Sequence, residues 1–172
     1  MQAYLLYSHQ TQPQHLRPKM SDSTEQEPTI ASLPRISREE LSKTILSNES
    51  GPALPSNMAI IDVRDSDHVG GHIKGSTWVP SSSLDYRAPE LVRDLKDKEV
   101  VVFHCALSQQ RGPSAALRYL REKRRLTGEA ERKKAEAEGE GEEEVERRGK
   151  EAEGKEQKVV VLAGGFTEWQ EK

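Results

Sequence analysis

Two observations predict an α/β domain with a central parallel sheet flanked by helices. Short apolar runs, MAIIDV at 58–63, EVVVF at 99–103 and KVVVL at 158–162, stand between breakers or charged residues, the pattern of strands covered on both faces. Stretches with apolar residues at helical spacing separate them, and strands that alternate with helices pair in parallel.

Taken in order, residues 1–33 are polar with scattered proline and serine and no periodicity, which predicts a disordered N-terminal tail. The opening MQAYLLYSHQTQPQHLRPKM has too short an apolar run for a secretory signal and too little arginine for a transit peptide; it reads as a leader, with Met20 an alternative start. Order is expected from Pro34. Ser37 and Glu40 have capping-box spacing, Ile36 and Leu41 flank them as a hydrophobic staple, and a helix over 38–46 places Leu41 and Ile45 on one face.

NESGPALPSN is a loop by its proline, glycine and asparagine content, and MAIIDV follows as a buried strand. RDSDHVGGHIKGSTWVPSS is expected to run over the surface around one short extended piece, TWV. SSLDYRAPELVRDL offers Leu91, Val92 and Leu95 at helical spacing, KDKEVVVFHC a second buried strand, and GPSAALRYLREKRR a helix with Pro113 in its first turn, where the missing N–H is harmless. Residues 122–157 then change composition sharply. This stretch is expected to be a solvated charged insertion, helical where EAERKKAEAE supplies good helix formers and otherwise disordered. KVVVLAGGFTEWQEK returns as strand, glycine turn and short helix, so the insertion interrupts one domain over 34–172.

Composition narrows the function classes. Hydrophobic residues are 33% of the 172 and aromatics 5%, too little apolar matter to pack the whole length as one core. The formal charge of -3 from 26 basic and 29 acidic side chains provides no broad basic surface for nucleic acid. No segment approaches the roughly 18 to 20 apolar residues of a membrane span. The single cysteine, Cys105, rules out an internal disulfide framework and fits a reducing compartment, cytoplasmic or nuclear. No cofactor is expected, and no metal: His68 and His72 are four apart, but Gly70 and Gly71 between them argue against a helix.

The chemistry concentrates in HCALSQQRGP at 104–113. The preceding strand delivers His104 and Cys105 to the carboxyl edge of a parallel sheet, where open α/β sheets bind ligands. Ala106, Leu107, Ser108, Gln109 and Gln110, none charged or β-branched, lead to Arg111 and Gly112 at a helix start. Their N–H groups can curl around an oxyanion at the positive end of that helix. Arg111 adds a forked cation matched to two oxygens, and the same field favours the thiolate, the reactive form of cysteine. Asp62 and Arg64, leaving a buried strand, read as an ion-paired brace for these loops, with catalytic acid and substrate contact the alternative roles. Trp78 and Trp169 read as packing residues.

H-C-x-x-x-x-x-R-G-P, with IDVRDSDHVGGHIKGS upstream and VVVLAGGFTEW downstream, resembles the rhodanese-fold phosphatases of the M-phase inducer type and the related fungal arsenate reductases. The resemblance covers roughly 34–121 and 158–172. It implies a single rhodanese-like domain in which Cys105 forms a phosphocysteine intermediate and Arg111 clamps the phosphate; the Ser108 hydroxyl, read from the loop itself, either hydrogen-bonds the thiolate or is simply solvated. Rhodanese sulfurtransferases are also similar but usually carry a loop one residue shorter, whereas five residues separate Cys105 from Arg111 here.

The chain departs from the M-phase inducer pattern at Ala106 and Gln110, where glutamates are usual, which removes candidate general acids. The expected activity is phosphotyrosine-like or dual-specificity protein phosphatase. The alternatives are arsenate reduction with an external thiol such as glutathione, binding of phosphorylated protein without turnover, and sulfur transfer. The expected partners are thus a phosphorylated protein or a small oxyanion.

Overall fold

The computed structural model describes residues 27–47, 51–138 and 157–171. Five strands, β1 (Arg35–Ile36), β2 (Met58–Asp62), β3 (Thr77–Trp78), β4 (Val100–His104) and β5 (Lys158–Leu162), form one sheet in the order β1-β5-β4-β2-β3 with every neighbour parallel. The helices are α1 (Arg38–Leu46), a 3-10 turn at Ser81–Ser83, α2 (Leu84–Asp94), α3 (Arg111–Glu138) and α4 (Gly165–Trp169). Among the described residues no helix is long and apolar enough to cross a membrane.

Packing follows strand parity, because successive side chains point to opposite faces. Ala59 and Ile61 of β2, Val101 and Phe103 of β4, and Val159 and Val161 of β5 join one cluster, covered by Leu84 and Leu91 of α2 and Ala115, Ala116 and Tyr119 of α3. Met58, Ile60, Val102, Val160 and Leu162 join the other, covered by Leu41 and Ile45 of α1 and Phe166 of α4. Helix α1 begins with the Ser37–Glu40 capping box: Ser37 Oγ accepts from Glu40 N–H, and the Glu40 carboxylate accepts from Ser37 N–H at 2.9 Å.

Several places differ from the sequence reading. Strand β1 has no apolar run to announce it; two residues pair with Val161 and Leu162 at the sheet edge. Leu33 is already buried in the first cluster. Segment 64–80 does not simply run over the surface: Arg64 is buried, Ile73 enters the second cluster and Val79 the first. Trp78 is not a packing residue. It lies on an edge strand 49% exposed, stacks on His68 with ring centroids 4.7 Å apart, and donates from its indole N–H to Arg64 O. Trp169, by contrast, packs partly buried against the second cluster.

Helix α3 continues through EAERKKAEAE to Glu138, with Arg125 bridging Glu122 and Glu129 one turn either way. Residues 139–156 lie outside the described residues, as does the tail before Glu27. In the remainder of the charged stretch Ala135 and Gln157 are buried. For Gln157 the reason is a set of satisfied bonds: Oε1 accepts from Tyr119 O–H at 2.7 Å, and Nε2 donates to Leu95 O and Lys98 O. Burial pushes the Tyr119 phenol up to about 12, so it stays a donor.

Gln157→Ala removes the acceptor of the buried Tyr119 hydroxyl and one donor each from Lys98 O and Leu95 O, the latter keeping Lys98 N–H, and is expected to cost about 1 to 3 kcal/mol. Urea denaturation checks this; a wild-type midpoint would refute it.

Candidate active site

Sheet order decides where a ligand can sit. Strand β2 connects onward to β3 on one side, while its neighbour β4 connects to β5 on the other. A crevice opens at the carboxyl ends of two such strands. The loops that follow β2 and β4 flank it.

The loop after β4 carries Cys105, which keeps 4% of its surface exposed, and Ser108, fully buried with φ at 52°. Ser108 N–H donates to Cys105 Sγ at 3.2 Å, and Cys105 N–H donates to Ser108 Oγ at 3.4 Å, which locks the base of the loop. Three of the loop's carbonyls are bonded outside it: Cys105 O accepts from Phe166 N–H and Ala106 O from Thr167 N–H, both at 2.9 Å, and Ser108 O from Arg35 Nη1 at 3.2 Å. Among the described residues nothing accepts from the N–H groups of Ala106, Leu107, Gln109, Gln110 or Arg111. Leu107, Gln109 and Gln110 are exposed, Ala106 is half-buried, and Gly112 is buried against Ser108 Oγ and Cys105 N.

The close approach of α4 to this loop requires Gly165. Its φ is +61°, and a Cβ there would stand 2.4 Å from Ala106 O and 2.6 Å from Cys105 O. Only glycine tolerates both the conformation and the contact.

Arg111, the first residue of α3, does not stand free. Its guanidinium meets Asp67 at 2.7 Å through Nη1 and 2.5 Å through Nη2, and Nη1 also donates to Asp65 Oδ2 at 3.1 Å. Arg111 in turn holds the Asp67 carboxyl well below the usual carboxylate range. The Ser81 hydroxyl, with Ser82 and Arg111, holds Asp65 down as well. Bonds to Asp67 first and then Asp65 raise Arg111.

Beneath the site Asp62 and Arg64 form a buried ion pair, closest at 2.6 Å. The Arg64 guanidinium also donates to Gly71 O and lies 3.9 Å over the Phe166 ring. Burial alone would raise Asp62, but the side-chain and backbone bonds from Arg64, with its charge, outweigh it and hold the carboxyl low. Burial lowers His104 despite the pull of Asp62, favouring the neutral ring. Its Nδ1 lies 3.3 Å from Cys105 O, and its Nε2, 3.7 Å from Asp62 Oδ2, has no hydrogen-bond partner among the described residues. His68 reaches the same carboxylate at 3.3 Å, and no group of three His, Cys, Asp or Glu is placed to hold a metal among the described residues.

The structure therefore brings Cys105, Ser108, Gly112 and Arg111 together, with Asp62, Arg64 and His104 below them. Sequence reasoning missed Asp65, Asp67, Arg35 and Gly165. The D-x-D spacing directly after a strand, at the same sheet edge as Arg111, was the available signal for the two acids. Nothing local marks Arg35 or Gly165, because both act across long sequence separations.

A family model described as the rhodanese-like domain matches residues 50–172. The dual specificity phosphatase Cdc25 of Arabidopsis thaliana is 53% identical over 76 residues, 42% of this chain and 52% of the relative. Arsenate reductase 2.2 of rice, Oryza sativa subsp. japonica, is 50% identical over 64 residues, 37% of this chain and 49% of the relative. These matches thus span about half the length of the curated relatives. Among solved structures, Ygr203w of Saccharomyces cerevisiae, described as a homolog of single-domain rhodanese and of the Cdc25 phosphatase catalytic domain, superposes with a TM-score of 0.56 at 28% identity, covering 83% of each chain.

Gly165→Ala is expected to destabilise the fold by about 2 kcal/mol or more, since it combines a left-handed φ with a steric clash; equilibrium denaturation reads it, and a loss under about 0.5 kcal/mol would contradict the packing. A second outcome concerns pH. His104 binds its proton less readily folded than unfolded, so stability should decline as pH falls below the ordinary histidine value of 6.5. The depressed carboxylates Asp62, Asp65 and Asp67 add their losses only below the ordinary 3.8. Melting temperature against pH should show two separate declines, the upper one absent in His104→Gln.

Proposed function

The chain belongs to the rhodanese-like domain family, and from that premise we propose that it is a cysteine-dependent phosphatase acting on phosphotyrosine-like groups. The observation that carries this is the loop's hydrogen bonding: carbonyls of Cys105, Ala106 and Ser108 are bonded outside the loop, while five successive-region N–H groups, those of Ala106, Leu107, Gln109, Gln110 and Arg111, have no acceptor among the described residues. Such N–H groups, with a guanidinium at the helix start, suit the spread charge of a phosphoryl group in transfer.

In this reading the Cys105 thiolate attacks phosphorus, the ester oxygen leaves, and water cleaves the phosphocysteine to release inorganic phosphate and free the thiolate. Gly112 lets the first turn of α3 approach Ser108, and Asp62, Arg64 and His104 support the loops from below. Arg111 binds the equatorial oxygens. Asp65 and Asp67 are the carboxyls nearest the loop through Arg111, but their depressed proton affinity makes both poor acids. The leaving group must therefore depart largely unassisted by them, which favours aryl esters, whose phenol has a reference pKa of about 10, over alkyl esters.

The likeness to the rice arsenate reductase supports a second reading, reduction of arsenate in the same loop. With one cysteine in the chain, the two electrons come from an external thiol such as glutathione. Either chemistry needs a reduced Cys105, which suits a cytoplasmic or nuclear setting.

Aryl phosphate hydrolysis is expected, abolished in Cys105→Ser and reduced roughly 100-fold or more in Arg111→Lys, the usual scale for losing a transition-state donor. Undiminished hydrolysis by the serine variant would end the proposal. Phosphoserine peptides should turn over far more slowly than phosphotyrosine peptides of the same sequence. Arsenate with glutathione, run beside these on one preparation, decides between the two readings.

A further inference from the structure

Arg111 cannot grip an oxyanion with the same two nitrogens that grip Asp67. Both terminal nitrogens of its fork are engaged by Asp67, at 2.7 and 2.5 Å, and Nη1 is shared with Asp65. No charged side chain lies between Cys105 and Arg111, and the triad of one arginine and two aspartates carries a net negative charge beside the loop, where Arg35, bonded to Ser108 O, is the further cation.

We propose that Asp67 is a positioning residue that competes with the oxyanion for Arg111, and so limits the affinity of the loop for free oxyanions, inorganic phosphate included. The inference rests on the oxyanion-binding reading of the loop. The two acids are not equivalent. Asp65 is anchored independently, accepting from the Ser81 hydroxyl at 2.6 Å and from Ser82 N–H at 3.1 Å, so it stays satisfied when Arg111 turns away. Among the described residues Asp67 has, besides Arg111, only backbone N–H groups, its own and that of Asp65. Asp67 is thus the partner that an incoming anion displaces.

The exposure of the triad makes the exchange feasible. The side chains of Arg111, Asp65 and Asp67 are 35%, 32% and 40% exposed, and ion pairs this open to water are worth little. The pair can therefore hold the guanidinium at the loop mouth between turnovers and yield it to a phosphate ester bound through additional contacts. Free phosphate lacks those contacts, so it competes poorly and leaves readily. A role confined to supporting the fold predicts the opposite, looser anion binding when Asp67 is changed.

Calorimetric titration of inorganic phosphate tests this on wild type, Asp67→Asn, Asp67→Ser, Arg111→Ala and the Asp67→Asn/Arg111→Ala double variant, with thermal melts confirming that each is folded. Both Asp67 variants should bind phosphate roughly two- to fivefold tighter, the scale of a half-exposed ion pair. The gain should vanish in the Arg111→Ala background, and in steady state KM and the phosphate inhibition constant should fall together. Phosphate binding that is unchanged or weaker in both Asp67 variants, while Arg111→Ala still weakens it, overturns the competition and leaves the loop reading intact. Binding that Arg111→Ala does not weaken overturns the loop reading itself, and the proposal with it.

Discussion

A short loop can present several N–H groups to one point only if its carbonyls are bonded somewhere else. In this molecule the carbonyls of Cys105, Ala106 and Ser108 are bonded to parts of the chain distant in sequence: to the first turn of α4 and to Arg35 on the edge strand. The constraint explains features that otherwise look unrelated. Helix α4 has only five residues, yet its N-terminus reaches the loop because Gly165 removes the one Cβ that would keep it away. Strand β1 has only two residues, yet it sets Arg35 within reach of Ser108 O. Each element is short because its job is to place one or two donors.

The same arrangement accounts for the left-handed Ser108. Its φ of 52° is unusual for a residue with a side chain, and such conformations persist where surrounding contacts over-determine them. Here its N–H meets the Cys105 sulfur, its hydroxyl the Cys105 N–H, and its carbonyl Arg35. All three polar groups of one buried residue are committed, and all three commitments fix the sulfur relative to the loop.

Much of this was legible in the sequence, and the boundary is physical. Helix α1 was readable to the residue because the Ser37–Glu40 capping box, the staple and the apolar stripe all act within one turn or two. Strands β2, β4 and β5 were readable because burial on both faces leaves an apolar run. Cys105 and Arg111 stood out by chemistry and spacing. What escaped depends on distant pairings: β1 exists because β5 lies beside it, Trp78 is exposed because β3 is an edge, and Gln157 is buried because Tyr119 and the end of α2 converge on it. The link between Arg111 and Asp67 belongs to the same class, since it joins loops that only the sheet order makes neighbours.

That sheet order also distributes the charge. Adjacent strands β2 and β4 send their chains to opposite sides, so the loop after β4 supplies neutral N–H groups and a cation, while the loop after β2 supplies the acids that face it. Deeper still, the Asp62–Arg64 pair is fully sequestered and satisfied, whereas Asp67 and Arg111 are half open to water. A buried pair is costly to separate once formed, and an open one exchanges partners easily. The two aspartate–arginine pairs, whose aspartates Asp62 and Asp67 follow one another on the β2 side while Arg111 comes from α3, therefore differ in burial: one is closed to water, and the other, in the exchange proposed for it, is free to change hands.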